Sequence, residues 1–497
     1  MSLLEIEGLE KKDYSNSRPL DVHKWSEYPE VNRFIDEIFK DLSSFNGNTK
    51  ITKKLLKVLL LDLYVAWSSD PDLMIMFSRN NNAYQAKSRY NELHVGKKII
   101  HLVDVCIDHN IIEQKIGFND RLNGVSYQSR IWASDWLKER FKEARFNLFH
   151  LHSHPERETI VLKDRNKKLI NYVDTKDIKR MRSLLHDYNE LLARTHLDIL
   201  DLETPLLTIG NGKKKMRLQI NQQDKFVRRI FNNSVFDQGG RFYGGWWQRC
   251  PKEFRKRIMM DGIMTAEIDF SGLHVVLLYA QEGIDYWSEV NEDPYALSQV
   301  TNIDPSINQR AAAKLLFLTA LNAEDEKKTF HAFRYQSEKG SLEKKMTDEQ
   351  LSSLLHNLKR KHEPIAYKMA SGAGIDLMYV DSQITEYLIK AFTKIGCPIL
   401  TVHDSYIVPF GYDRFLHQQM QKGFEQVTGI SHPALKHTTD YYDRFENEPE
   451  PSSPPQYMEK DYSKVASQRH LKDLSLFREF MDKPERENWV PDWTMVY

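Results

Sequence analysis

Two aspartates in this chain follow apolar segments at the points where those segments turn. Asp269 ends Glu267–Phe270, which reads as a strand running into a Ser-Gly turn, and Asp404 lies between the apolar segments 399–402 and 406–408. A charge between apolar strands is costly unless it is solvated or paired with a cation. Strand-end carboxylates are well placed to hold a divalent metal ion, although a helix cap would explain Asp269 alone equally well.

Two cations between these aspartates share one face of a predicted helix. Arg310 and Lys314 are four residues apart in an otherwise apolar segment, Arg310–Ala323. Residues at this spacing are neighbours on a helix surface. The pair can bind the phosphates of a nucleotide, and two ordinary surface cations would give the same pattern.

The most basic part of the chain runs from Lys213 to Arg257. It contains thirteen Lys and Arg residues against three acids, with eight Phe, Tyr and Trp residues interleaved. Cations for phosphates together with flat rings for bases are typical of a nucleic-acid groove, whereas a solvated basic face is the plainer interpretation. The residues assigned to nucleic-acid binding are Lys213, Lys214, Lys215, Arg228, Arg229, Gly240 and Arg241.

A pair of glycines precedes the last of these cations, in the run Asp237–Arg241. Glycine allows the backbone to approach a ligand closely, and an arginine after such a turn suits a phosphate. An ordinary glycine turn with a solvated Arg241 is an equal alternative.

Composition sets the class of the protein. The 497 residues carry 70 Lys and Arg against 70 Asp and Glu, so only the local asymmetry favours nucleic acid. Apolar runs are interrupted by charges well before about 20 residues, which predicts no membrane span. Three cysteines, far apart, exclude a disulfide framework, and a cytoplasmic location is expected.

The apolar spacing predicts an α+β, helix-rich chain. Helices are expected over 21–45, 52–67 and 95–108, followed by strands over 111–118 and 125–132. Two or more helices and then a hairpin resemble a winged helix. We expect three regions: a helical, winged-helix-like region over 1–203, the chemistry-bearing region over 204–445, and an acidic Pro-rich linker and tail over 446–497.

The order of these blocks resembles that of right-hand palm polymerases, the single-subunit phage and mitochondrial RNA polymerases and the related family A DNA polymerases. The similarity covers about residues 232–409. The elements that carry it are Asp237–Arg241 for the D-x-x-G-R element, Asp269 with Ser271 for motif A, Arg310 with Lys314 for motif B, and His403-Asp404-Ser405 for motif C. It implies a palm with an antiparallel sheet and helical fingers.

The resemblance also implies roles for individual residues. Asp269 and Asp404, with the carbonyl of Phe270, would bind two Mg²⁺ ions, for which Mn²⁺ can substitute. Arg310 and Lys314 would bind the triphosphate, and Lys314 or His403 would assist the leaving group or the primer end.

Two positions depart from the family pattern. Asn322 stands where the family has a tyrosine beside the sugar and base of the nucleotide, and His274 stands where family A has a glutamate. Both are assigned to nucleotide binding, and they leave the preference for ribose or deoxyribose open.

We therefore expect a template-dependent nucleotidyltransferase whose partners are a DNA template, nucleoside triphosphates and an RNA or DNA primer. Ser405 after Asp404, where family A reads glutamate, favours an RNA-synthesising or primase-like enzyme. The alternatives are a DNA-dependent DNA polymerase of a mobile element or phage, and a non-enzymatic replication initiator with a degenerate palm. A zinc hydrolase at His150, His152 and His154 is disfavoured, because the Ser-x-x-Asp that such enzymes need is missing after His154.

Overall fold

The computed structural model describes residues 13–42, 49–120, 125–210, 216–298, 300, 302–437 and 465–482. The chain is mixed α+β, as the sequence predicted. Its apolar side chains form two hydrophobic cores, one between Val31 and Leu151 and one between Ile160 and Phe424. The change of core falls between Leu151 and Ile160, and the division of the chain at 203 remains a prediction.

The first core contains four helices and most of the N-terminal strands. The helices are α1 (Pro29–Asp41), α2 (Thr49–Ser69), α3 (Lys98–Asp108) and α4 (Asp135–Glu143). The strands are β1 (Ser17–Pro19), β2 (Lys24–Trp25), β3 (Met74–Phe77), β4 (Ile112–Lys115), β5 (Phe118–Asp120), β6 (Val125–Tyr127) and β7 (Ser129–Ala133). Helix α2 is apolar on almost all sides, which is why it runs through the centre of this core.

The expected order of helices followed by a hairpin is present in this region. Strands β4 and β7 are antiparallel, and the small β5–β6 hairpin extends them. Strand β3, which the sequence did not reveal, joins β7 on its other side, so the sheet order is β1-β3-β7-β4. The similarity to a winged helix remains a prediction.

The second core and the segment leading into it contain the remaining elements up to residue 437, of which His152–Ser153 pairs with β2. The helices are α5 (Lys176–Ala193), α6 (Lys252–Arg255), α7 (Leu273–Gln281), α8 (Gln309–Asn322), α9 (Glu326–Gln336), α10 (Asp348–Lys361), α11 (Gly374–Lys394) and α12 (Asp413–Thr428). The strands are β8 (His152–Ser153), β9 (Ile160–Leu162), β10 (Leu197–Ile199), β11 (Leu206–Ile209), β12 (Met216–Gln219), β13 (Arg228–Phe231), β14 (Gly239–Tyr243), β15 (Ile258–Met260), β16 (Ile263–Phe270), β17 (Leu400–Val402), β18 (Ser405–Pro409) and β19 (Leu435–His437).

The central sheet of the second core has the strand order β10-β15-β16-β18-β17, and β19 also pairs with β16. All of these pairings are antiparallel. Helix α12 packs on β16 and β18, and α11 packs between α12 and β14. The smaller sheet β14-β13-β9 thereby lies on the other side of α11 from α12.

A last helix, α13 (Gln468–Met481), bridges the two cores. Near its start, His470 and Arg469 contact Asp198 of β10. Near its end, Phe477 packs on Phe149, while Phe480 packs on the rings of Phe149, His150 and Tyr28. The predicted acidic linker over 446–455 lies outside the described residues.

Two general expectations can be compared with the fold. No helix in the described part of the chain is long and apolar enough to cross a membrane. The three cysteines, Cys106, Cys250 and Cys397, are buried free thiols.

Candidate active site

Asp269, on β16, lies beside the hairpin turn that carries Asp404. Asp269 is opposite Ser405 in the antiparallel pair β16–β18, and the backbone N–H of Phe270 donates to the Asp404 carbonyl at 3.1 Å. Phe270 also pairs with Leu435 of β19. The sheet therefore brings together two residues that are 135 positions apart in the chain.

Asp404 is held at the tip of a tight hairpin. Val402 pairs with Ser405, which leaves His403 and Asp404 as the two residues of the turn. His403 has a φ of 57°, in the left-handed region that non-glycine residues rarely adopt. The apolar strands β17 and β18 thus end in a strained turn that presents His403 and Asp404 together.

The carboxyl of Asp269 is in an unusual electrostatic state. Burial and, after it, the neighbouring charge of Asp404 together raise its pKa to about 7, while Lys252 and Lys314 act in the opposite direction. Its Oδ1 atom is buried and has no hydrogen-bond partner among the described residues. A buried acceptor without a partner is rare and calls for an explanation such as an ion.

The residues at this pair fit a divalent cation such as Mg²⁺. Mg²⁺ prefers oxygen ligands and commonly takes only one or two protein carboxylates, and two are present here. Within the described residues, no group of three or more His, Cys, Asp or Glu side chains is arranged to hold a metal ion. That statement includes the histidines at 150, 152 and 154, and it leaves Asp269 and Asp404 as a two-carboxylate site.

A buried glutamate lies beneath the pair, and the sequence did not single it out. Glu267, only 3% exposed, accepts a hydrogen bond from the Ser405 hydroxyl at 2.5 Å and one from Arg255 at 3.0 Å. The signal that could have found it is the two-residue spacing from Asp269, which places both carboxylates on one face of β16.

Arg241 enters the site from the side of α11. Its Nε donates to Oδ2 of Asp381 at 2.8 Å, and its Nη2 lies 3.1 Å from Nε2 of His274. Because arginine only donates, His274 accepts here and carries its proton on Nδ1. Burial and then the charge of Arg241 lower the pKa of His274 to about 4.

Asp381 is a third carboxyl in the same neighbourhood. Burial, opposed by Arg241 and aided by the charge of Asp404, leaves its pKa raised to about 6. Asp381 is not among the site residues that the sequence predicted. Its ion pair with Arg241 ties α11 to β14 beside the hairpin.

The paired glycines serve close packing inside the protein. Gly239 and Gly240 have φ values of 77° and 75°. A Cβ on Gly240 would lie 2.9 Å from the Ser382 hydroxyl of α11, so β14 can approach this helix only with glycine. The close approach that the sequence predicted is made here by a neighbouring helix.

The two cations of α8 differ in their surroundings. Arg310 is 57% exposed and forms an ion pair with Asp293 at 2.5 Å. Lys314 is exposed, with its Nζ 5.8 Å from the centre of the Tyr295 ring, and its charge acts on Asp269. Asn322, at the end of the helix, donates to the carbonyl of Leu318 and packs against Gly374 of α11.

Several residues of the basic block are used inside the protein. Arg229 is 2% exposed and bonds to Glu386, to the Gly240 carbonyl and to Ser382. The sequence predicted that Arg229 would face a phosphate. Instead its guanidinium pairs with Glu386 of α11, a residue far along the chain. Arg228 is half-buried, and burial lowers its pKa, with Arg157 acting in the same direction. Lys213, Lys214 and Lys215 lie outside the described residues.

Comparison with known proteins gives little help in interpreting this site. No protein-family model and no curated protein matches the chain. Among solved structures, the chain is similar to the "POL domain of Pol1 from M. smegmatis complex with DNA primer-template and dNTP", with 11% sequence identity and a TM-score of 0.29 over 83% of this chain and 69% of that chain. A TM-score this low carries no argument about fold or function, so the interpretation rests on the site itself.

Proposed function

We propose that this protein is a template-dependent nucleotidyltransferase that extends a nucleic-acid chain at Asp269 and Asp404. The observation that supports this most is the pairing of two carboxylates at a strand end and a hairpin tip, where one buried oxygen has no partner within the described part of the chain. Two adjacent carboxylates repel each other, so at neutral pH they either share a proton or pair with a cation.

The chemistry needs charge neutralisation and positioning more than covalent catalysis. When bound, two Mg²⁺ ions would activate the attacking hydroxyl and stabilise the leaving pyrophosphate. Asp269 and Asp404 would hold these ions, together with the Phe270 carbonyl. Asp269 must lose its proton to do so, and Lys252 and Lys314 favour that loss.

The cations around the carboxylates suit a triphosphate. Lys314 acts on the charge of Asp269 and is exposed, so its ammonium can donate to a phosphate beside the carboxylates. Arg310 lies one helical turn away and would exchange Asp293 for phosphate oxygens. His403 has a pKa that burial and Arg241 lower, so it is neutral at pH 7 and can accept a proton at the chain end.

The nucleic-acid product is proposed to be RNA, in a primase-like or primer-extending reaction on a DNA template. Ser405 supports this, because the motif C resemblance favours the RNA polymerase branch there. His274 offers its Nδ1–H near the carboxylates, where a donor could meet a sugar hydroxyl. A DNA polymerase of a mobile element or phage is the competing product assignment.

A chain-extension assay tests the proposal. Wild-type protein is incubated with a primed and an unprimed DNA template, Mg²⁺ or Mn²⁺, and labelled ribonucleotides or deoxyribonucleotides in parallel. We expect ribonucleotide addition that disappears in Asp269→Asn and Asp404→Asn and persists in Asp376→Asn, an exposed carboxyl at the start of α11. Nucleic-acid binding without any addition, under every condition, would instead favour the replication initiator.

A further inference from the structure

A chain of hydrogen bonds lies directly under the carboxylate pair. The Ser405 hydroxyl donates to Oε1 of Glu267 at 2.5 Å, and Nη2 of Arg255 donates to the same oxygen at 3.0 Å. Glu267 and Ser405 are 3% and 5% exposed, and the Arg255 side chain is 14% exposed. These hydrogen bonds therefore lie in the interior of the protein rather than on its surface.

The sheet register explains why these groups meet. Asp269 and Glu267 are two residues apart on β16 and share a face, and Ser405 shares it because it lies opposite Asp269. The Ser405–Glu267 bond is thus a diagonal cross-strand contact. Glu267 is two residues before Asp269 on β16, and Ser405 directly follows Asp404.

The charge of Glu267 is supported by helix α6. This single turn lies in the basic block and carries Lys252 and Arg255 three residues apart, on one face. Arg255 pairs with Glu267, while the charge of Lys252 acts on Asp269. A buried carboxylate without such a cation would be strongly destabilising.

We propose that Glu267, held by Arg255, is a positioning residue that fixes the Asp404 hairpin through the Ser405 hydroxyl. Asp404 is then tied on both sides, by the Phe270 N–H at its own carbonyl and by Glu267 at the residue that follows it. Its carboxylate is held beside Asp269 in the geometry that a divalent cation needs. This inference rests on the proposed function, because it assumes that the pair binds a metal ion.

The test measures Mn²⁺ binding to full-length protein, without nucleotide or nucleic acid, from the electron paramagnetic resonance signal of free Mn²⁺. Ser405→Ala removes the donor, Ser405→Thr keeps a hydroxyl, and Glu267→Gln keeps an oxygen but loses the charge. Thr265→Val is the matched control, because Thr265 lies on the same face of β16 and its buried hydroxyl bonds to the Ile258 carbonyl, away from the pair.

We expect Ser405→Ala to weaken Mn²⁺ binding roughly tenfold, as loss of an outer partner of a metal ligand does. Ser405→Thr should restore most of the affinity. Glu267→Gln should weaken binding by about threefold, since its hydrogen bonds are no longer assisted by charge. Thr265→Val should lower thermal stability and leave Mn²⁺ affinity unchanged. In chain extension, Ser405→Ala should lower kcat and leave the nucleotide KM unaltered.

The outcomes separate this inference from the proposed function. If wild-type protein binds Mn²⁺ and folded Ser405→Ala binds it equally well, Glu267 does not position the hairpin, although the proposed function stands. If wild-type protein does not bind Mn²⁺ at all, both ideas fail. Equal weakening in Ser405→Ala and Thr265→Val would mean that any buried hydroxyl of the sheet matters, which also overturns the inference.

Discussion

Two carboxylates, the buried Asp62 of the first core and the half-buried Asp269 of the second, have opposite surroundings. Asp62 lies inside α2 and accepts two hydrogen bonds from the Arg18 guanidinium, at 2.6 and 2.9 Å, and a third from the Asp21 N–H at 3.0 Å. Asp269 faces another carboxylate and keeps one buried oxygen without a partner among the described residues. The charge of Asp62 is satisfied by donors within the protein, whereas the buried oxygen of Asp269 is available to a group from solvent.

Under the proposed function, this difference separates a carboxylate that stabilises the fold from one that binds the catalytic metal ion. A cation-binding site has carboxylate oxygens that lack partners until the cation is bound, and these unsatisfied groups lower the stability of the empty protein. The comparison therefore predicts that replacement by asparagine changes the free energy of unfolding in opposite directions at the two positions: it should fall for Asp62 and rise for Asp269 above neutral pH.

The largest effect is expected for chemistry at the site. Asp269→Asn and Asp404→Asn should each lower the rate of nucleotide addition by roughly a thousandfold or more, because metal-held charge contributes several kcal/mol to such transition states. Single-turnover extension measures the rate, and a filter-binding assay with DNA should show unchanged affinity. Substantial turnover in either folded variant would contradict the metal assignment.

The second effect is on stability in the first core. Asp62→Asn should lower the free energy of unfolding by up to about 3 kcal/mol, because it leaves the half-buried Arg18 without its main counter-charge. Urea denaturation measures the change, and nucleotide addition at a temperature where the variant is folded should be close to wild type. An Asp62→Asn protein as stable as wild type would remove the contrast between the two carboxylates.

The third effect is a pH dependence of stability in the metal-free protein. Asp269 keeps its proton up to about pH 7 when folded and loses it near 3.8 when unfolded, so the folded state binds more protons between these values. Stability from this group therefore falls as pH rises from about 4 to about 7.

The stability of Asp269→Asn should not fall over this pH range. At pH 8 its free energy of unfolding should exceed that of wild type by at least about 1 kcal/mol. Thermal unfolding of both proteins at pH 5 and pH 8, in the presence of a chelator, measures the difference. Identical pH profiles for the two proteins would show that Asp269 titrates normally.

The smallest effect is expected at a pair exposed to solvent. Arg249 and Asp224 form an ion pair whose side chains are 55% and 40% exposed. Arg249→Ala should change the free energy of unfolding by no more than about 1 kcal/mol, since solvent screens such pairs. A cost near that of Asp62→Asn would mean that exposure does not distinguish the charged pairs of this protein.

The local features of the site were accessible from sequence, because they depend on neighbouring residues. The strand before Asp269 and the hairpin around Asp404 follow from apolar runs interrupted by turn residues. The four-residue spacing of Arg310 and Lys314 likewise placed both on one helix. Alternation and spacing of this kind are visible in a few residues.

The distant partners were not accessible. Arg229 looked like a phosphate ligand because composition records a charge but not its counter-charge, Glu386, which lies on α11. The bond between Glu267 and Ser405 depends on a strand register that joins positions 138 residues apart. For the same reason the passage from one hydrophobic core to the next could not be located from the sequence, since α5 and β9 could belong to either core until their contacts are known.

The left-handed turn at His403 has a consequence for engineering. Glycine would relieve the conformational cost of a φ of 57° and would be the simplest choice for a more durable hairpin. It would also make the backbone beside Asp404 more mobile in the unfolded and the folded chain alike. Attempts to raise heat resistance at this position should therefore be made last, after the loops remote from the sheet.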